Sequence, residues 1–365
     1  MESDLHGSRQ IRKAVVLCGG EGTRLRPFSF STPKHLMPVA NRPVIDWIFD
    51  SLFEAGIEDV AVVVSPLNER IFHKELGDQT EQGMSLSFVV QEEPKGLAHA
   101  VACVRDFVAE EPFLLYLGDN LFETGVVEMV HGFESGMQAA TIALTEVPDP
   151  SRFGVARLEG QTILELIEKP ADPPSNWAVA GAYVFTPRIF EAIEHISPSK
   201  RGELEITDAI QYLIENEGSV NAHFVKGWWK DVGQPQDLIL AGELLMKKAS
   251  RRIDGQVDAS SVVDGLVVVE TGASVNHSTL HGPCIVGKDA RIVNSTIGPN
   301  VAVGDACRIE ESHIKTSILM AETCIEHVSM LCDSIVGRRS RIAPTSGGES
   351  YTVLVGDDSL VALGQ

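Results

Sequence analysis

The residues best suited to chemistry lie in one short stretch near the start of the chain. Gly19-Gly20-Glu21-Gly22-Thr23-Arg24-Leu25-Arg26-Pro27 combines glycines with two arginines. Glycines let backbone N–H groups approach phosphate oxygens without a Cβ in the way. Arg24 adds a planar guanidinium that suits phosphate. The loop lacks the Gly-Lys-Ser/Thr ending of a P-loop and does not match the dinucleotide-binding spacing. On its own it reads equally well as a turn. A little further on, Pro33-Lys34-His35-Leu36-Met37-Pro38-Val39 holds Lys34 on a segment stiffened by prolines. An ammonium there could neutralise phosphate charge; the other reading is an ordinary surface lysine. Arg12, Lys13, Arg24, Arg26, Lys34 and Arg42 concentrate positive charge in this segment, although the whole chain carries a formal net charge of −21. So acidic a chain lacks the basic face that nucleic acid needs, and no nucleic-acid partner is expected.

These side chains need a scaffold. Residues 12–17 have the pattern of a short buried strand that ends at the glycine-rich loop. Pro43 to Ala55 is expected to be a helix, with proline at its start and Gly56 after its end. Its apolar face would carry Val44, Ile45, Ile48, Phe49, Leu52 and Phe53. Val60 to Val64 follows as a second strand, so strand, helix and strand predict a parallel sheet with right-handed crossovers. Leu86 to Val90 is strand-like, Leu97 to Val108 is helical, and Phe113 to Leu117 is a strand running into Gly118-Asp119-Asn120. In open α/β sheets, ligands sit beyond the carboxyl ends of the strands. Gly19 to Thr23, Gln91 to Gly96 and Asp119 all follow such ends, so three loops are expected to converge on one cleft.

The pattern changes after about residue 250. Val286, Ile292, Ile297, Val303, Ile309 and Ile314 recur at spacings of five and six, with Gly287, Gly298 and Gly304 directly after three of them. That is the hexapeptide β-helix signature, in which each aliphatic points into a prism-shaped core. Leu238 to Lys248 has the look of a linking helix. The six cysteines are scattered, with no CxxC pair and no histidine spacing for zinc. They suit free thiols in a reducing compartment. No apolar run approaches membrane-spanning length, and the opening MESDLHGSRQ lacks an apolar signal core. A cytoplasmic protein with no membrane partner is the expectation.

Several motifs together carry a resemblance. Gly-Gly-x-Gly-Thr-Arg-Leu from Gly19, Pro33-Lys34-x-Leu-x-Pro-Val39 and Asn41-Arg42-Pro43 resemble the sugar nucleotidyltransferase family. Later blocks sharpen the likeness to glucose-1-phosphate thymidylyltransferases: Gln91-Glu92-Glu93-Pro94-Lys95-Gly96-Leu97-Ala98-His99-Ala100, Leu117-Gly118-Asp119-Asn120, Glu168-Lys169-Pro170, Arg201-Gly202-Glu203-Leu204-Glu205-Ile206-Thr207-Asp208 and Gly227-Trp228-Trp229-Lys230-Asp231-Val232-Gly233. The solenoid, with Leu354-Val355-Gly356-Asp357-Asp358-Ser359 near its end, is similar to the long form of these enzymes.

The resemblance implies a Rossmann-like α/β nucleotidyltransferase domain with a mixed, mostly parallel sheet, followed by a left-handed parallel β-helix. The expected divisions are a disordered tail over 1–11, a catalytic domain over 12–235, a linking helix over 236–252 and a β-helix over 253–365. It implies that dTTP and glucose 1-phosphate give dTDP-glucose and pyrophosphate by direct in-line displacement, with Mg²⁺ as cofactor. Gly19, Gly20, Gly22 and Thr23 would wrap the triphosphate, and Arg24 and Lys34 would stabilise charge at the α-phosphate. Asp119 and Asp231 would hold the metal through hard carboxylate oxygens. Gln91 would read the pyrimidine edge, with Gly96 letting the backbone approach the same base. Gly154, Glu168, Lys169 and Tyr183 would form the sugar-phosphate half, and Arg201 and Glu203 would order its lid.

Cys18, His35 and Val232 depart from the common residues of the family; none removes a charged group. Alternatives within catalysis replace dTTP by UTP or GTP, and glucose 1-phosphate by another hexose or a cyclitol phosphate. Others make the chain a non-catalytic ligand-sensing subunit, or a bifunctional enzyme whose solenoid transfers acyl groups using one of His277, His281, His313 and His327. A homo-oligomer, a trimer or a multiple of one, is expected through the solenoid.

Overall fold

A computed structural model of the chain describes residues 10–134, 137–216, 218–344 and 350–363. The expected tail lies outside the described residues as far as residue 9, and Ile11, near its end, is already buried at 2% exposure.

Near-continuous aliphatic runs such as KAVVL and DVAVVV suit strands covered on both faces. They build one nine-stranded sheet from Lys13–Leu17 (β1), Asp59–Val64 (β2), Ser85–Val90 (β3), Phe113–Leu117 (β4), Ala140–Glu146 (β5), Gly154–Glu159 (β6), Thr162–Glu168 (β7), Trp177–Phe185 (β8) and Val220–Phe224 (β9). The spatial order is β3-β2-β1-β4-β8-β5-β9-β7-β6. Only β7 and β8 run against the others, so the sheet is mixed and mostly parallel, as expected. Leu17 pairs with both Val63 and Leu117, which brings the ends of β1, β2 and β4 to one edge. Just beyond, Cys18 N–H donates to Val63 O at 2.7 Å and Gly118 N–H to Leu17 O at 3.0 Å.

Two helical expectations need correction. In the helix Val44–Glu54, Val44, Ile45, Ile48, Phe49 and Leu52 are buried, but Phe53 is 51% exposed and leaves the apolar face. The helix expected over 97–108 is two pieces, Leu97–Ala102 and Arg105–Val108, because Val104 (φ −101°, ψ 10°) leaves helical geometry. The break lets Ala100, Val101, Val104 and Val108 all reach the core; packing overrides helical continuity.

Two compact units emerge: the stretch ending at Gly20 with Ile45–Asp231, and Glu21–Val44 with Val232 onward. In the second unit the helix Pro235–Met246 opens on proline after a capping box formed by Gln234 and Asp237. The solenoid then forms three parallel sheets, and Val286, Ile292, Ile297, Val303, Ile309 and Ile314 all lie in its interior. Its corners place His277, Asn294 and Glu311 in the left-handed region, at φ 51°, 48° and 47°. Directly after each comes a serine. Ser278, Ser295 and Ser312 sit 17 residues apart, each N–H donating to the hydroxyl of the serine one coil earlier. Each of these hydroxyls also donates to the carbonyl two residues before it, at 2.7 Å. The ladder satisfies polar groups inside a corner that water does not reach. Among the described residues, no helix is long and apolar enough to cross a membrane.

Candidate active site

In the first unit, β3 delivers Gln91 at its carboxyl end, where its N–H donates to Val64 O at 2.9 Å. The side-chain Nε2 reaches Gly96 O at 3.2 Å and His99 Nδ1 at 3.0 Å. A Cβ on Gly19 would stand 3.1 Å from Gln91 Oε1, so the glycine-rich loop and the glutamine are neighbours. Gly96 has φ 108°, and a Cβ there would meet Leu204 O at 2.5 Å. The expected reason for this glycine was access to a base; the geometry adds that it must be glycine to let the chain pass the backbone of Leu204.

Asp119 follows β4. The next residues, Asn120–Phe122, pair antiparallel with Trp229–Asp231, and the register sets Asp231 opposite Asn120. Two carboxylates 112 positions apart in sequence thus arrive at one end of one short ribbon. Asn120 Nδ2 donates to Asp119 Oδ1 at 2.8 Å, and its Oδ1 accepts from Trp229 Nε1 at 2.7 Å. No group of three or more histidine, cysteine, aspartate or glutamate side chains that could hold a metal ion occurs among the described residues. A pair of half-buried carboxylates fits Mg²⁺, which keeps several waters and takes one or two carboxylates together with substrate phosphates.

Gly154 and Glu168 pair across β6 and β7. A Cβ on Gly154 would meet Thr207 Cγ2 at 2.8 Å and Val179 Cγ2 at 3.2 Å. Glu168 accepts from Thr207 Oγ1 at 3.3 Å, and Lys169 Nζ lies 3.2 Å from Glu168 Oε1. Lys169 adopts φ 43° directly after β7. Arg201 bonds Glu203 at 2.8 Å and buried Glu205 at 3.0 Å, and stands 3.9 Å from Glu168. Tyr183 is a core residue, 3% exposed and stacked on Phe185. Burial raises its phenol above the ordinary value, and the charges of Glu168 and Asp119 add to the shift. Tyr183 therefore feels the charges of both Glu168 and Asp119.

The remaining expected residues belong to the second unit, apart from Gly20, an exposed residue of the loop itself. Gly22 adopts φ 63° and caps the short turn Thr23–Leu25, with Lys34 Cβ 3.3 Å from where its own Cβ would be. The Arg24 guanidinium lies over Gly233, where a Cβ would stand 3.1 Å from Nη2. Thr23 and Arg24 are exposed and Lys34 is half-buried. Arg12 and Lys13 sit at the end of β1 away from Gly19 and Gly20, where Arg12 pairs with Glu58 at 3.4 Å and Lys13 with Glu111 at 2.8 Å. Charge proximity in sequence misled because a strand carries its two ends apart.

Residues 13–248 match the family model described as Nucleotidyl transferase. This chain belongs to the sugar-phosphate nucleotidyltransferases. Residues 280–362 of the nucleotidyltransferase match a second model, described as GMPPB C-terminal domain. Over 262 residues the chain is 45% identical to the low-salt glycan biosynthesis nucleotidyltransferase Agl11 of Haloferax volcanii, covering 72% of this chain and 73% of that one. It is 44% identical to a glucose-1-phosphate thymidylyltransferase of Streptomyces griseus over 277 residues, covering 75% and 78% of the two chains. A solved UDP-glucose pyrophosphorylase complexed with UDP-glucose superposes with TM-score 0.60 at 30% identity, covering 65% of this chain and 99% of that one.

Sequence reasoning gave no role to four residues of the nucleotidyltransferase that hold its expected site in shape: His99, Asn120, Thr207 and Glu205. All four fall inside motif blocks already singled out, yet nothing in their spacing shows which neighbour each one touches. Partial burial, followed by Glu205 and Glu168, raises the carboxyl of Asp208 above its ordinary range, which marks this end of the helix Ile206–Asn216 as crowded with acid.

Proposed function

We propose that this nucleotidyltransferase joins dTTP to glucose 1-phosphate, releasing pyrophosphate and forming dTDP-glucose. The observation that carries the reading is Gln91, with its side-chain oxygen beside Gly19 of the glycine-rich loop. An amide oxygen at that point accepts from the ring N–H of a keto pyrimidine. Thymidylyltransferase relatives at 44% and 42% identity support the choice of thymine.

Glu168 accepts from sugar hydroxyls, and Lys169, already paired with it, turns to the sugar phosphate. Gly154 keeps the backbone close to Glu168. Gly20, Gly22 and Thr23 cradle the triphosphate, while Arg24 and Lys34 stabilise the charge that develops at the α-phosphate as pyrophosphate departs. The sugar phosphate oxygen is already anionic and attacks in line, so no general base is needed. Asp119 and Asp231 hold Mg²⁺, which supplies further charge neutralisation when bound. The solenoid brings copies together, and light scattering at micromolar concentration tests that assembly: a monomer would contradict it.

The experiment is pyrophosphate release from glucose 1-phosphate with each of dTTP, UTP, GTP, CTP and ATP in Mg²⁺. Release with dTTP that Asp119→Asn abolishes is the expected result. Preference for UTP would keep the reaction and replace the base. Turnover only with another hexose or cyclitol phosphate would replace the sugar.

A further inference from the structure

We propose that His99 is a specificity-determining positioning residue, which fixes the Gln91 amide so that only its oxygen is left to meet the base. The inference rests on the reading of Gln91 as the base-facing group and goes beyond it. It assigns the class of base by hydrogen-bond polarity: one that presents a ring N–H, as thymine and uracil do, and not one that presents a bare ring nitrogen, as cytosine does.

A glutamine amide has two N–H donors and one carbonyl acceptor. Which end is which follows from its partners. Gly96 O, 3.2 Å from Nε2, is a backbone carbonyl and can only accept, so the nitrogen must point that way. His99 Nδ1, at 3.0 Å from the same Nε2, takes the second amide hydrogen. The His99 ring therefore carries its proton on Nε2 and accepts at Nδ1. Both donors are then used within the protein.

Oε1 keeps its lone pairs. It lies 3.1 Å from the position a Cβ would take on Gly19, so a side chain there would crowd this oxygen. The backbone is anchored as well, through Gln91 N–H to Val64 O at 2.9 Å. Histidine, glycine and strand end together hold one acceptor in one direction. A ring N–H donates to it, whereas the ring nitrogen of cytosine sets lone pair against lone pair and leaves both unpaired, which binding sites reject strongly.

The test uses the full chain with Mg²⁺ and glucose 1-phosphate, and compares kcat/KM for dTTP with that for 5-methyl-dCTP. These two differ only at the ring edge that Gln91 would meet. The wild type should favour dTTP. His99→Leu frees the amide to turn and should lower that preference about tenfold, the scale of one lost hydrogen bond. His99→Asn, which places an acceptor oxygen near the Nδ1 position, should retain most of it. The proposal is overturned if His99→Leu slows both nucleotides equally and leaves their ratio unchanged, which is what a packing role alone would do. It is also overturned if the wild type prefers 5-methyl-dCTP. Should the enzyme prefer UTP to dTTP, the proposed nucleotide fails by itself, and the ratio of UTP to CTP in the same variants decides the role of His99.

Discussion

Trp229 donates its indole N–H to the side-chain oxygen of Asn120 at 2.7 Å, and this bond crosses the ribbon that brings Asp119 and Asp231 together. Asn120 then passes the constraint on, since its amide nitrogen donates to Asp119 Oδ1 at 2.8 Å. Trp229→Phe keeps the ring against Phe153 and removes only the bond. Its expected effect is a higher Mg²⁺ requirement with a loss of about tenfold or less in kcat. Asp119→Asn or Asp231→Asn should each cost about a hundredfold or more. Pyrophosphate release measured against Mg²⁺ concentration separates the two behaviours; an unchanged Mg²⁺ midpoint in Trp229→Phe would show that the indole does not position the carboxylates.

Gly154→Ala should harm the sugar side selectively. The new methyl meets Thr207 Cγ2 at 2.8 Å and Val179 Cγ2 at 3.2 Å, and these contacts cannot both be kept. Overpacking of this kind costs about 1–3 kcal/mol, visible as a lowered melting temperature. Thr207 also donates to Glu168, so KM for the sugar phosphate should rise while KM for the nucleotide stays close to wild type. Equal rises in both would contradict this division of the site.

Ser295→Ala tests the serine ladder. The Ser295 hydroxyl accepts from Ser312 N–H at 3.1 Å and donates to Val293 O at 2.7 Å. Alanine leaves the buried Ser312 N–H without its partner, at a cost of about 1–3 kcal/mol, while Val293 O keeps its bond from Glu311 N–H at 3.1 Å. The readout is thermal unfolding, with pyrophosphate release as a control expected to hold below the melting transition.

Asp258 gives the solenoid an acid-sensitive start. The Ser261 hydroxyl, with the Ser260 hydroxyl and the His277 N–H, holds its carboxyl down at about 2, against an ordinary value of 3.8. A carboxylate depressed on folding stabilises the folded chain above its unfolded value, and that contribution disappears as pH falls through the folded one. Urea midpoints should therefore decline between pH 3.8 and about 2, and Asp258→Asn should flatten the decline across that window. An equally steep loss in the variant would assign the acid sensitivity to other groups.

Periodicity made the fold legible. Alternating strands and helices, then aliphatics at five- and six-residue spacing, are direct prints of a parallel sheet and a solenoid, because burial itself sets those periods. Strand ends marked Gln91 and Asp119 for the same reason. What stayed hidden depends on register between distant segments. Asp231 comes to Asp119 only through pairing of Asn120–Phe122 with Trp229–Asp231, and no local pattern announces that pairing. The positive charges of Arg12 and Lys13 were close to the loop in number but not in space, since they sit at the far end of β1. The break before Arg105 followed from where the core lay, not from helix propensity.

The repeating corner has one more consequence. With Ser261, Ser278, Ser295 and Ser312 linked at intervals of 17 residues, this stretch of the solenoid is written in paragraphs of one length. Excising one whole paragraph shortens the prism and leaves every surviving serine facing another. The next coil is one residue shorter, with Ile309 facing Ile325, and there the N–H of Val328 rather than of a serine meets the Ser312 hydroxyl. Keeping the serine ladder therefore ties length to whole coils between Ser261 and Ser312, while side chains on the outer faces stay free to vary.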